Sequence, residues 1–218
     1  MVRLFLKVII MYFPRFVLAL FFCGANLSTA LAASSGPLGI DHMLSYDSSA
    51  VWSDSNLKAL KYGSALVVLG GALYEGNDSR IGKTFWKTVD SMLLADVSAY
   101  VAKAVFRRER PIDGNDPTAF FHSRSDDSFP SGEVTHITAI VTPFIIEYQK
   151  DYPAVFLLSA LPVYVGTAKL KTQAHWQTDI LAGVALGAGI GYFASQRDSS
   201  WTAQVLPGGF SVGYRKSF

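Results

Sequence analysis

Phe129-Pro130-Ser131-Gly132-Glu133-Val134-Thr135-His136 divides a polar loop, residues 112–128, from an apolar segment of helical length, residues 137–148. Proline suits the start of a helix, Ser131 can accept a hydrogen bond at the cap, and Glu133 falls in the first turn. A helix that begins here turns free backbone N–H groups outward, and with the helix dipole they form a site for an anion. An ordinary capped helix would carry the same octapeptide. Its meaning therefore depends on the basic and histidine residues elsewhere in the chain.

Working outward, the flanking segments read as helices. Residues 57–74 are apolar and helix-length, weakened by Gly63, Gly70 and Gly71. Residues 75–83 form a turn region with Gly76, Asn77, Asp78 and Gly82. Residues 84–106 carry Val89, Leu93, Val97, Val101 and Val105 at helical spacing, and that helix should lose its regularity before Pro111. The helix through 137–148 meets Pro143, a further helix is expected from Pro153 to about Leu170, and a last long one lies within 173–196. In that last segment Gly183, Gly187 and Gly191 recur every fourth residue, a spacing that lets a neighbouring helix come close. Residues 201–206 and 210–215 flank Pro207-Gly208-Gly209, the pattern of a β-hairpin. The expected fold is all-α: a bundle of about five to six core helices with a short C-terminal β-hairpin.

The N-terminal 32 residues read as a signal peptide: Arg3, Lys7 and Arg15, a short apolar run to Cys23, then Ala30-Leu31-Ala32. An uncleaved membrane anchor is the alternative. Cleavage would remove Cys23, the one cysteine, and three of the 19 basic residues, leaving 16 against 17 acids. The mature chain would then have no thiol nucleophile and no overall basic charge to recruit nucleic acid. Residues 33–56 read as an extended lead-in. Residues 152–168 and 180–196 are each free of charge for 17 residues, at the lower edge of membrane-spanning length.

Three polar sites interrupt the apolar pattern. The first is Lys103, six residues, then Arg110-Pro111. The second is the opening stretch. The third runs from Lys169 to Asp179, with His175 and Asp179 four apart. If both were helical they would share a face, so that the carboxylate could hold one imidazole nitrogen and leave the other free. In this order the sites resemble the signature of the phosphatidic acid phosphatase type 2 superfamily. That superfamily includes class A acid phosphatases, membrane lipid phosphatases and vanadium haloperoxidases. Lys103, Arg110 and Pro111 match its first motif in full. Pro130, Ser131 and Gly132 match the second, Pro-Ser-Gly-His, with Glu133 in the place of the histidine. His175 and Asp179 match the third, with Ala168 and Lys169 in place of its Ser-Arg.

The resemblance implies a phosphatase-like helical domain over residues 57–198 that hydrolyses phosphomonoesters of small molecules or lipids. His175 would be the nucleophile, forming a phosphohistidine, and Asp179 would hold its tautomer. Lys103, Arg110, Lys169 and the backbone N–H groups of Ser131 and Gly132 would bind the phosphate. Glu133 stands where the family's general acid stands, and His136, one turn on, is a candidate proton relay. No metal or other cofactor is implied, although vanadate or phosphate could occupy the cradle. Partners would be a phosphorylated substrate, with membrane association and a homo-oligomer both open. The expected location is the periplasm or cell envelope, with an integral membrane protein as the alternative. Because Glu133 replaces the acid, a catalytically impaired phosphate or lipid-headgroup binder is the competing reading. A vanadate-dependent haloperoxidase is a third, which the missing histidine disfavours.

Overall fold

The computed structural model of the chain describes residues 35–123, 125–197, 201–206 and 209–214. The expected signal peptide and the terminal Phe218 lie outside the described residues. The described residues are mostly helical and form five α-helices: α1 Asp54–Glu75, α2 Arg80–Phe106, α3 Gly132–Tyr148, α4 Ala160–Lys171 and α5 Gln177–Ser195. Short 3₁₀ segments, Ala50–Trp52 and Pro153–Ser159, precede α1 and α4. These five helices account for the core; the hairpin expected over 199–218 remains a proposal.

Local chemistry sets the helix boundaries. The Ser53 and Ser79 side chains cap α1 and α2 by accepting from the N–H groups of Asn56 and Gly82. α2 ends earlier than Pro111 requires, because Arg107 adopts the left-handed conformation (φ 41°) and its N–H returns to the Lys103 carbonyl. The helix expected from Pro153 begins as a 3₁₀ segment and becomes α-helical only at Ala160. Pro143 lies inside α3.

α3 is the central element, and the core forms on two of its sides. Val68 and Ala72 of α1, Trp86, Val89 and Met92 of α2, and Ile140 and Val141 of α3 make one cluster. Leu57, Val134, Ile137, Val165 and Ala168 make a second, around the first turns of α3. The stripe expected on α2 is corrected by this packing. Val89 is buried, but Leu93, Val97, Val101 and Val105 are all more than half exposed. The smaller Ala95 and Ala99 face the interior instead, which lets α2 approach its neighbours closely. Pro153–Lys171 and Gln177–Ser195 are each long and apolar enough to cross a membrane, and only 28% and 33% of their apolar windows are buried.

The glycine series of α5 serves the close approach its spacing implied. A Cβ on Gly187 would lie 2.4 Å from the Thr135 carbonyl oxygen and 2.8 Å from the Thr138 Cβ. On Gly183 it would lie 2.8 Å from the Ser131 carbonyl oxygen, at the start of α3. Gly187→Ala should therefore destabilise the protein by about 1–3 kcal/mol. Gly70→Ala, on α1 with nothing within 4 Å, should stabilise it by roughly 0.5–1 kcal/mol. Thermal unfolding of the two variants should move in opposite directions.

Candidate active site

Backbone hydrogen bonds bring the three motif regions together at one end of the bundle. The Ser128 N–H donates to the Arg108 carbonyl (2.9 Å), Ser131 N–H to the Asp179 carbonyl (3.0 Å), and Ile112 N–H to the Gln173 carbonyl (3.0 Å). Each bond joins a different pair of motif regions, so the site is fixed by backbone before any side chain is considered.

His175 lies in the turn between α4 and α5, not on a helix, which corrects the expectation that it shares a helical face with Asp179. α5 begins at Gln177, and the Asp179 carboxylate turns back to accept from the Trp176 N–H through Oδ2 (2.8 Å). The same Oδ2 accepts from the Ser128 hydroxyl (2.6 Å) and lies 3.6 Å from His175 Nδ1. Nδ1 thus faces the carboxylate, and Nε2 is the ring nitrogen turned away. Burial pushes the His175 pKa down, Asp179 opposes that shift, and Lys103 and Arg110 add to it. Burial pushes Asp179 up, but His175 and Arg108 outweigh it and hold the carboxyl below its usual range.

The cations surround this pair. Lys103 is packed against the start of α3, its Cε 3.3 Å from where a Gly132 Cβ would lie. Its Nζ contacts the Asp127 carbonyl and lies 3.8 Å from the Asp127 carboxylate. Burial lowers the Lys103 pKa to about 8. Arg110 binds the other oxygen of that carboxylate, Asp127 Oδ1, through Nε (2.8 Å) and a terminal nitrogen (2.7 Å). An incoming phosphate must therefore compete with Asp127 for both cations. Arg110 and Lys169 line a cavity of about 230 Å³ together with Tyr46, Asp54 and Leu57.

Ser131 differs from expectation in two ways. Its side chain makes no cap, and its N–H is engaged by Asp179, so it is not free for an anion. What remains available is the Ser131 hydroxyl, buried without a partner. The N–H groups of Gly132, Glu133 and Val134 have no intrahelical acceptor, because they begin α3.

Glu133 and Lys169 form an ion pair with each other, and Asp54 Oδ1 lies 4.0 Å from the lysine. His136 does not join them. It is buried, its Nδ1 meets the Asp96 carboxylate at 2.9 Å on α2, and its Nε2 is buried without a hydrogen-bond partner. Two buried residues escaped the sequence reading. Arg108 donates to Asp179 Oδ1 (2.6 Å), and Asp41, from the lead-in, accepts from Arg108 (2.7 Å). The signal for Arg108 was its position inside the first motif; Asp41 carried none.

The sequence model of the PAP2 superfamily matches residues 84–202, more than half the chain. The chain belongs to the PAP2 superfamily. An undecaprenyl-diphosphatase of Sulfolobus acidocaldarius is 26% identical over 113 residues, covering 51% of this chain and 54% of that protein. The chain thus matches about half the length of that relative. No solved structure matches significantly. Within this PAP2 chain the matched span begins in the first turns of α2 and contains Lys103, Arg110, Ser131, Gly132, Lys169, His175 and Asp179.

Proposed function

We propose that this protein is a phosphatase of the cell envelope that works through a phosphohistidine on His175. The observation that carries this reading is the buried His175–Asp179 pair beside Lys103 and Arg110, the latter at the edge of the cavity. The substrate phosphate would displace Asp127 from the two cations and accept from the Ser131 hydroxyl and the free N–H groups of Gly132 and Glu133. Lys169, which lines the same cavity as Arg110, adds charge. His175 Nε2 attacks phosphorus in line, the leaving oxygen departs, and Asp179 stabilises the ring as it becomes cationic. Water then attacks the phosphohistidine, releasing phosphate and restoring the imidazole. No cofactor enters; vanadate would occupy the cradle as a phosphate mimic.

Glu133 occupies the acid's position but is committed to Lys169, where its carboxylate is an acceptor and not a donor. Substrates whose leaving group needs no proton, such as diphosphates or aryl phosphates, suit that arrangement better than alkyl phosphomonoesters. The diphosphatase name of the archaeal relative agrees. The same ion pair favours the second reading, a phosphate or lipid-headgroup binder with impaired turnover. The two outwardly apolar helices and the exposed apolar side of α2 support association with a membrane and lipid-linked substrates. We assign residues 57–198 to the catalytic domain, 33–56 to its lead-in and 199–218 to an appended hairpin. Antiparallel pairing of Trp201 with Tyr214 through Leu206 with Gly209 supports the hairpin.

The test is phosphate release from an aryl phosphate, an alkyl diphosphate and an alkyl phosphate, with acid-stable and acid-labile phosphoprotein assayed after a rapid quench. Release from the first two, with an acid-labile adduct, is expected. The kcat/KM profile should rise below pH 6.5, where His175 loses its proton, and fall near pH 8, where Lys103 loses its charge. Phosphate or vanadate binding without release or adduct would establish the binder instead.

A further inference from the structure

The lead-in contains an anomaly. Leu38 and Met43 lie on its surface and Ile40 is more than a third exposed, yet Asp41 among them is 1% exposed. Its carboxylate is inserted into the helical body, where Oδ1 accepts from the Thr178 N–H (2.8 Å) and Oδ2 from the Thr178 hydroxyl and Arg108 (both 2.7 Å). Gly36 permits this insertion: it has φ +70°, and a Cβ there would fall 2.0 Å from Asp41 Oδ2. The segment is tied down along its length. His42 exchanges two bonds with the Gln177 side chain, Leu44 accepts from Gln173, and the Asp47 N–H reaches the Lys171 carbonyl. Every one of these partners lies between the end of α4 and the start of α5, the stretch that carries His175.

Arg108 connects this strap to the dyad. Its guanidinium is fully buried between the rings of Phe120 (4.7 Å) and Trp176 (5.6 Å). One terminal nitrogen donates to Asp179 Oδ1 and the Thr178 hydroxyl, the other to Asp41 Oδ2 and the Pro117 carbonyl. A structural ion pair would be complete with one carboxylate. Two carboxylates on one guanidinium leave the buried cluster a net negative charge short of balance. Positive charge on the far side of Asp179 comes from Lys103 and, when it is protonated, from the His175 ring next to Asp179 Oδ2.

We propose that Asp41 and Arg108 form a positioning clamp that fixes the rotamer and the charge of Asp179, and through it the tautomer of His175, making the lead-in strap a working part of the site. Neither residue touches substrate. The proposal rests on the reading of His175 as nucleophile, and its test is therefore chosen to give a signal without turnover.

The test is nitrogen-15 NMR titration of His175 in wild type, Asp41→Asn and the double variant Arg108→Met/Asp41→Asn, beside kcat, KM and thermal unfolding of each. Single loss of Arg108 is avoided because it would leave two buried carboxylates unpaired and endanger folding. The charged groups facing His175 are Asp179 on α5, Lys103 on α2, and Arg110 and Asp127 in the loops, all unchanged in these variants. Asp41→Asn removes one negative charge and leaves the guanidinium to Asp179 alone, so the His175 titration and the acid limb of kcat/KM should both move to lower pH. In the double variant the lost charges cancel, so the titration should return toward the wild-type value while kcat stays reduced by roughly 10–100-fold, the range for a lost partner of an oriented histidine. Equal titrations in all three proteins, with only lowered unfolding temperatures, would overturn the clamp and leave Asp41 structural. Shifted titrations in a protein without turnover would keep the clamp and overturn the hydrolase reading.

Discussion

In His175→Ala, turnover of an aryl phosphate falls by on the order of 10⁴–10⁶-fold, the scale on which loss of a unit such as a nucleophile and its base is felt in hydrolases, and the acid-labile phosphoprotein disappears. The geometry separates this loss from a folding defect. His175 Nδ1 makes only long contacts, 3.6 Å to Asp179 and 3.5 Å to the Ser128 hydroxyl. Asp179 keeps its bonds from Arg108, Ser128 and Trp176 when the ring is gone. The unfolding temperature should therefore change little. Lys103 and Arg110 are untouched, so inorganic phosphate should bind as before, measured by competition with vanadate. Added imidazole has a cavity beside it, lined by Ala174 next in sequence to the missing ring, and should restore part of the rate. Turnover within tenfold of wild type in a folded His175→Ala protein would remove the phosphohistidine from the mechanism.

The sequence carried the helices and the order of the motifs because both depend on spacing, which survives in one dimension. It carried the close approach of a neighbour to α5 for the same reason, since glycine every fourth residue has few other uses in a helix interior, but not that the neighbour is α3. It misdirected on α2, where apolar residues occur on more than one face. Nothing in the periodicity tells Val97 and Val101, which face outward, from Ala95 and Ala99, which face in. The Asp41–Arg108 clamp was illegible because a lone aspartate in a Ser- and Gly-rich lead-in has no periodicity to mark it. Its partners lie 67 and 137 residues away. The two departures from the family motifs illustrate the same limit. Glu133 for histidine and Lys169 for arginine read as independent losses along the chain. In space they are one ion pair, so each replacement makes sense of the other.

That pairing leads to the other large effect: Glu133→His should raise turnover of an alkyl phosphomonoester by about 10²–10⁴-fold, the usual contribution of a positioned general acid, while changing that of an activated aryl phosphate by less than tenfold. The imidazole would stand in the first turn of α3, where a family member carries its acid, and Lys169 would be released from the carboxylate toward the bound phosphate. An aryl oxide leaves without a proton, so the gain should scale with leaving-group basicity. A plot of rate against leaving-group pKa should be steep for wild type and shallow for the variant. Glu133→Gln separates the two consequences of the change. It also frees Lys169 but supplies no acid, so it should tighten phosphate binding without rescuing the alkyl ester. Should Glu133→Gln instead abolish an alkyl phosphatase activity present in wild type, Glu133 is itself the proton donor, and its bond to Lys169 must open during the reaction. A shallow wild-type plot of kcat/KM, which reports the step in which the leaving group departs and not the later hydrolysis of the phosphohistidine, would point the same way, since a protein that already protonates its leaving group is indifferent to how basic that group is.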